Sequence, residues 1–295
     1  MYKEIDYNKW MTWVILTVFF ILVVLVGYLY GIFSDLGYFG VVLGLLIAAP
    51  TVIIGYYTSD KMVLSMAGAK EITRKDNPQL FTMVENLAIT AGLPLPKIYI
   101  IDDPAMNAFA TGRDYDHAVV AVTRGLLDNL DKQELQGVIA HELSHVKNYD
   151  TRLSTVVVVF VGMIAIMADW FFRIGGSRNN RKSGLGILAI FGIIFIILSP
   201  LVAKLIQLAL SRNREFLADS EGALLTRYPE GLASALEKIS GQGQLLKRTN
   251  SAMNHLFIAD PIKAAHGGRG SGWLAGLFST HPPTQERIKR LRAML

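Results

Sequence analysis

Apolar positions along this chain are gathered into long blocks. Met11 to Tyr30 contains no charged residue, and at ~1.5 Å of rise per residue it is long enough to cross the hydrocarbon of a bilayer. A second block, Leu36 to Tyr57, follows across a tight Gly/Asp/Ser turn. The pair predicts a transmembrane hairpin; a cleaved signal peptide would need a shorter apolar centre and a small-residue cleavage site soon after it. A third block, Leu153 to Phe172, carries Asp169 near its end, and a fourth, Leu185 to Leu210, carries Lys204 and Gln207 near its end. Both still reach spanning length.

Two polar regions remain, Ser59 to Asp150 and Ser211 to Leu295. In the first, Asn77 followed by Pro78 has the form of a helix N-cap with proline at the first helical position, and Gly92 with Pro94 marks the stop. Short runs of strand character follow at Lys97 to Ile101, Asn107 to Thr111 and His117 to Thr123, predicting a small β-sheet. Asp131 and Glu134 then have capping-box spacing ahead of a helix. The second region predicts a helix over Asn213 to Thr226, passes a Gly-rich stretch at Gly267 to Gly272 and ends in a basic helix from Thr284.

The expected fold class is therefore α+β: a mainly helical integral membrane protein with about four transmembrane helices and a small β-sheet in its polar part. Its divisions are 1–58, an N-terminal membrane hairpin; 59–150, with the sheet; 151–210, a second hairpin; and 211–295. Composition agrees, since 52% of the 295 residues are hydrophobic and only 18% charged. The net charge of +5 is mild and its cations lie beside the apolar blocks, which argues against a nucleic-acid partner. There is no cysteine, so any metal must be held by His, Asp or Glu.

Lys3 and Lys9 precede the first block, Lys61, Lys70, Arg74 and Lys75 follow the second, and Arg212 and Arg214 follow the fourth, whereas the first loop has neither Lys nor Arg. The positive-inside tendency puts both termini and the polar regions in the cytoplasm. Arg173, Arg178, Arg181 and Lys182 conflict with that, lying between blocks three and four. Either that hairpin enters the bilayer incompletely or these charges are tolerated outside.

The chemistry concentrates where polar chain meets apolar block, in "HELSHVKNYDTRLSTVVVVF". His141 and His145 are four apart, so on a helix both imidazoles face one ion. Glu142 is rotated by about 100° from His141, within reach of a water at that ion. A catalytic zinc usually takes three protein ligands and leaves a position for water. In "SRNREFLADSEGA", Glu215 and Asp219 are again four apart, which allows Glu215 to bind metal and Asp219 to orient a ligand histidine. Read singly, each motif is also compatible with an ordinary solvated helix face, Arg212 and Arg214 pairing with the acids. "NAFAT" suits an exposed edge strand on which an extended peptide lies through main-chain hydrogen bonds, Asn107, Ala108, Phe109 and Ala110 forming the grip.

Taken with "NAFATG", "HELSH", "SRNREFLAD", "HLFIADP" and "STHPPTQERI", in that order and interleaved with the apolar blocks, the chain resembles the HtpX-type membrane zinc metalloproteases, relatives of the CaaX prenyl proteases. The resemblance implies a zincin-like protease domain facing the cytoplasm and one zinc ion per chain. His141, His145 and Glu215 would be its ligands, Glu142 the general base and Asp219 the carboxylate behind a ligand histidine. It makes His281 and Arg287 candidate donors to the oxyanion and Asn107 a substrate-orienting residue. The implied activity is a metalloendopeptidase of the bacterial or archaeal cytoplasmic membrane, cleaving misfolded membrane proteins in quality control and stress response. Ligand chemistry suits zinc, although cobalt or manganese would fit the same donors. Two rivals remain: a prenyl-peptide protease, which is normally longer and has seven spans, and a membrane scaffold that binds metal without hydrolysis, which would have no need of Glu142.

Overall fold

The computed structural model describes residues 2–33, 36–175, 212–242, 246, 256–258 and 282–294. Its chain begins with α1 (Tyr2–Phe33) and α2 (Phe39–Tyr57), two helices long and apolar enough to cross a membrane. Only 33% of the apolar window of α1 and 22% of that of α2 is buried. A core helix of a water-soluble protein would bury most of such a window; here Ile21, Leu46, Ile47 and Ile53 stay exposed, as lipid-facing residues do. The two helices run antiparallel with their backbones nearly touching. A Cβ on Gly40 would lie 2.5 Å from the Gly31 Cα, and one on Gly27 would lie 2.7 Å from the Gly44 Cα. Small residues are what allow this approach, and it supplies the van der Waals contact that holds helices together in lipid.

A short helix, α3 (Ser59–Ala67), leads into β1 (Ala69–Glu71). Helix α4 (Pro78–Ala91) starts as predicted, with the Asn77 Oδ1 accepting the Leu80 N–H at 3.0 Å, and stops before Gly92. Strands β2 (Lys97–Ile101), β3 (Ala108–Thr111) and β4 (Val119–Thr123) complete a four-stranded sheet in the order β1-β2-β4-β3, in which β2 and β4 are parallel and the other pairs antiparallel. β3 therefore forms one edge.

After α5 (Arg124–Asn129) comes α6 (Lys132–Lys147), opened by the predicted capping box between Asp131 and Glu134. Glu134 also accepts from Ser234 and Lys238, both at 2.7 Å, tying α6 to α9 (Pro229–Gly241). α8 (Arg212–Thr226) and α10 (Thr284–Arg292) complete the described helices. The main core lies between the sheet and helices α4, α6 and α9, with Val138, Ile139, Leu143, Leu232 and Leu236 fully buried in it.

The third apolar block forms part of one helix, α7 (Asp150–Gly175). Its first turns pack on α1: Leu153, Val156, Val157 and Phe160 meet Ile15, Leu16 and Phe19, and the Phe19 and Phe160 rings stack at 4.2 Å. The predicted fourth block lies outside the described residues, so two of the four expected spans are helices long and apolar enough to cross a membrane, and the third block is part of the helix α7. α3, β1, α5 and α9 had no counterpart in the sequence-based reading.

Candidate active site

The site is assembled from α6, α8 and α10 beside the edge of the sheet. His141 and His145 stand one turn apart on α6, with their Nε2 atoms 3.2 Å from one another. Glu215, on the first turn of α8, brings its Oε1 to 3.5 Å from the His145 Nε2 and its Oε2 to 3.9 Å from the His141 Nε2. Gly222 makes this possible: it is two turns along α8 from Glu215, and a Cβ there would lie 2.9 Å from the His141 backbone nitrogen.

A carboxylate stands behind each imidazole. The Asp219 Oδ1 is 3.0 Å from the His141 Nδ1, and the Asp150 Oδ2 is 2.9 Å from the His145 Nδ1. Carboxylates so placed favour a proton on Nδ1, the tautomer in which the Nε2 lone pair faces a metal ion. Two lone pairs and one carboxylate thus converge, their ligand atoms within 4.8 Å of one another. Tetrahedral ligands at about 2.0–2.2 Å from zinc stand roughly 3.3–3.6 Å apart, close to the separations seen here. The donor set of two imidazoles and one carboxylate fits a divalent zinc ion.

The electrostatics act on the two histidines in opposite directions. Burial pushes His141 down to about 4 against the pull of Asp219, so it is neutral, as a ligand must be. For His145 burial also acts downward, but the bond it donates to Asp150 and the charges of Glu215, Asp150 and Glu142 outweigh it and raise the ring to about 9. The surrounding carboxylates therefore favour positive charge at this point. Burial, reinforced by Glu215, pushes Glu142 up to about 7, opposed by His145, by the N–H that Ala110 donates to it and by Arg287.

Arg287 is buried, and its Nε and Nη2 donate to the Asp219 Oδ2 and Oδ1 at 2.8 and 2.7 Å. Burial opposes ionisation of Asp219, but this pairing and His141 prevail and hold it down to about 2. The Arg287 Nη1 donates to the Ile258 carbonyl at 3.2 Å and lies 3.4 Å from the Glu215 Oε2. His281 lies outside the described residues.

β3 runs past Glu142, but the exposed edge expected for Asn107 to Ala110 is corrected by the structure, in which all four residues are buried. Two of the backbone groups on its outer side are engaged by the chain itself: the Ala108 carbonyl accepts the Ile258 N–H at 3.0 Å and the Ala110 N–H goes to Glu142. Phe109 points into a separate core, edge-on to Phe257 at 5.3 Å. The Asn107 Oδ1 accepts from the Ala108 N–H at 3.0 Å.

The sequence-based reading missed Asp150. Its position five residues after His145 is not a helical spacing, and it reaches the ring only because α6 ends at Lys147 and Tyr149 takes a left-handed conformation, φ 59°.

Comparisons with known proteins give a consistent answer. A family model described as Peptidase family M48 matches residues 74–295. A protein named protease HtpX homolog from Dictyoglomus thermophilum is 48% identical over 294 residues, covering 99% of this chain and 94% of that protein. Proteins of the same name from Tropheryma whipplei and Listeria monocytogenes are 47% and 42% identical, each alignment covering 100% of this chain and 98% and 100% of theirs. Among solved structures, the crystal structure of S. mikatae Ste24p superposes with a TM-score of 0.52 at 19% identity, covering 96% of this chain and 66% of that one, a likeness of fold.

Proposed function

Because the chain belongs to peptidase family M48 and is a membrane protease, we propose that it is a zinc-dependent endopeptidase of the cytoplasmic membrane, cutting misfolded or damaged membrane proteins at the cytoplasmic face. The observation that carries the zinc reading is the convergence of the His141 and His145 Nε2 atoms with the Glu215 carboxylate, with Glu142 buried beside them. A zinc ion held by those three residues supplies Lewis acidity toward water and a peptide carbonyl.

The chain's own groups do the rest. Glu142, with its carboxyl pushed up to about 7, accepts the proton of the attacking water and passes it to the nitrogen of the departing peptide. Asp219 and Asp150 keep His141 and His145 in the tautomer that binds metal. Arg287 offsets the charge of Asp219 and lies beside Glu215, the position from which its guanidinium can donate to a developing oxyanion.

The test compares wild type with Glu142→Gln for zinc content and for cleavage of casein and of a model membrane protein. The expected outcome is stoichiometric zinc in both and a fall in kcat of at least about 10²-fold in the variant. Equal cleavage by the two zinc-loaded proteins would sink the reading, and cleavage confined to prenylated peptides would move the substrate class to the prenyl-protease relatives.

A further inference from the structure

The end of the first membrane helix reaches the metal site. Asn8 lies on α1, just before the apolar stretch, and is completely buried. Its Nδ2 donates to the Asp150 Oδ1 at 2.7 Å and to the Asn148 carbonyl at 2.9 Å, and its Oδ1 accepts from the Arg214 Nη1 at 2.9 Å. The amide can lie only one way round, because the carboxylate and carbonyl accept while the guanidinium only donates.

Asp150 is shared between two tasks. One oxygen holds the His145 Nδ1, and the other receives Asn8, with the Arg214 Nε at 3.7 Å. Turning the carboxylate would therefore break both contacts. Arg214 immediately precedes Glu215, so the same amide that steadies the carboxylate behind His145 also anchors the first turn of the helix that supplies the third ligand.

We infer that Asn8 is a positioning residue of the metal site, through which the N-terminal turns of the first membrane helix fix the placement of His145 and Glu215. This rests on the metal reading given above and adds to it that the site is incomplete without the segment ahead of the first span. Asn8 touches neither metal nor substrate and acts through Asp150 and Arg214.

The test uses the full chain purified in detergent, comparing wild type, Asn8→Leu, Asn8→Ser and, as a neighbouring exposed control, Tyr7→Phe. The zinc dissociation constant is measured by competition with a chromophoric chelator, the cobalt-substituted protein is examined by visible absorption, and kcat and KM are determined separately. Asn8→Leu should bind zinc about tenfold more weakly, with shifted cobalt bands and a loss carried by kcat, whereas Tyr7→Phe should match wild type. If Asn8→Leu does not fold, Asn8→Ser carries the same measurement with a smaller expected loss of about threefold. A folded Asn8 variant with the zinc affinity and cobalt spectrum of wild type overturns the inference while leaving the protease reading intact. A wild-type chain that holds no stoichiometric zinc overturns the protease reading and this inference with it.

Discussion

The two histidines of the site are held by unlike means. Asp219 is charge-balanced by a two-pronged bond from Arg287, so His141 meets a carboxylate already neutralised, whereas Asp150 behind His145 is steadied by the neutral amide of Asn8 with Arg214 further off. In the proposed zinc site His145 would consequently be the more electron-rich donor. Replacing Asp150 with alanine should weaken zinc binding about 10- to 100-fold, measured by chelator competition, and affinity unchanged from wild type would show that the Asp150 carboxylate does not orient His145. His141, His145, Glu215 and Asp219 were all legible in the sequence, because each pair is joined by helical spacing. Asp150 and Asn8 were not: the first acts across a helix break, and the second bonds to residues about 140 positions away, a pairing with no local signature.

At the scale of elements, α6 is clasped by two helices, and glycines lie at both contacts. Gly222 of α8 faces the backbone of His141, and Gly137 of α6 faces that of Leu232, where a Cβ would lie 2.6 Å from the nitrogen. Alanine is favoured over glycine inside a helix by about 1 kcal/mol, so helix propensity alone favours a more stable Gly222→Ala protein. The added methyl, however, would sit 2.9 Å from one backbone atom and 3.1 Å from the next, neither of which can rotate away. The clash should win, costing about 1–3 kcal/mol as overpacking does and moving Glu215 off the histidines. Thermal unfolding should show a lower Tm together with weaker zinc binding; a raised Tm would refute the close approach. Helices α4 and α6 were readable because their caps are local, Asn77-Pro78 and Asp131 with Glu134. The three residues of β1 are too few to display alternation, and its place in the sheet is set by pairing with β2.

On the scale of the whole molecule, the metal site lies where the polar chain meets the membrane helices, since Asn8 and the first turns of α7 join the site to α1. Whichever side of the membrane receives the base of α1 therefore receives the protease. The distribution of lysine and arginine around the first two spans favours the cytoplasm, and the α1–α2 turn would then emerge on the opposite side. The chain has no cysteine, so a single introduced thiol reports its own location without background. Tyr38 in that turn is 85% exposed, and Ser240 is exposed on α9. In intact cells a membrane-impermeant maleimide should label Tyr38→Cys, while Ser240→Cys should react only after the membrane is opened. The reverse pattern would place the catalytic site outside the cell, and misfolded segments on the cytoplasmic face would then be beyond its reach.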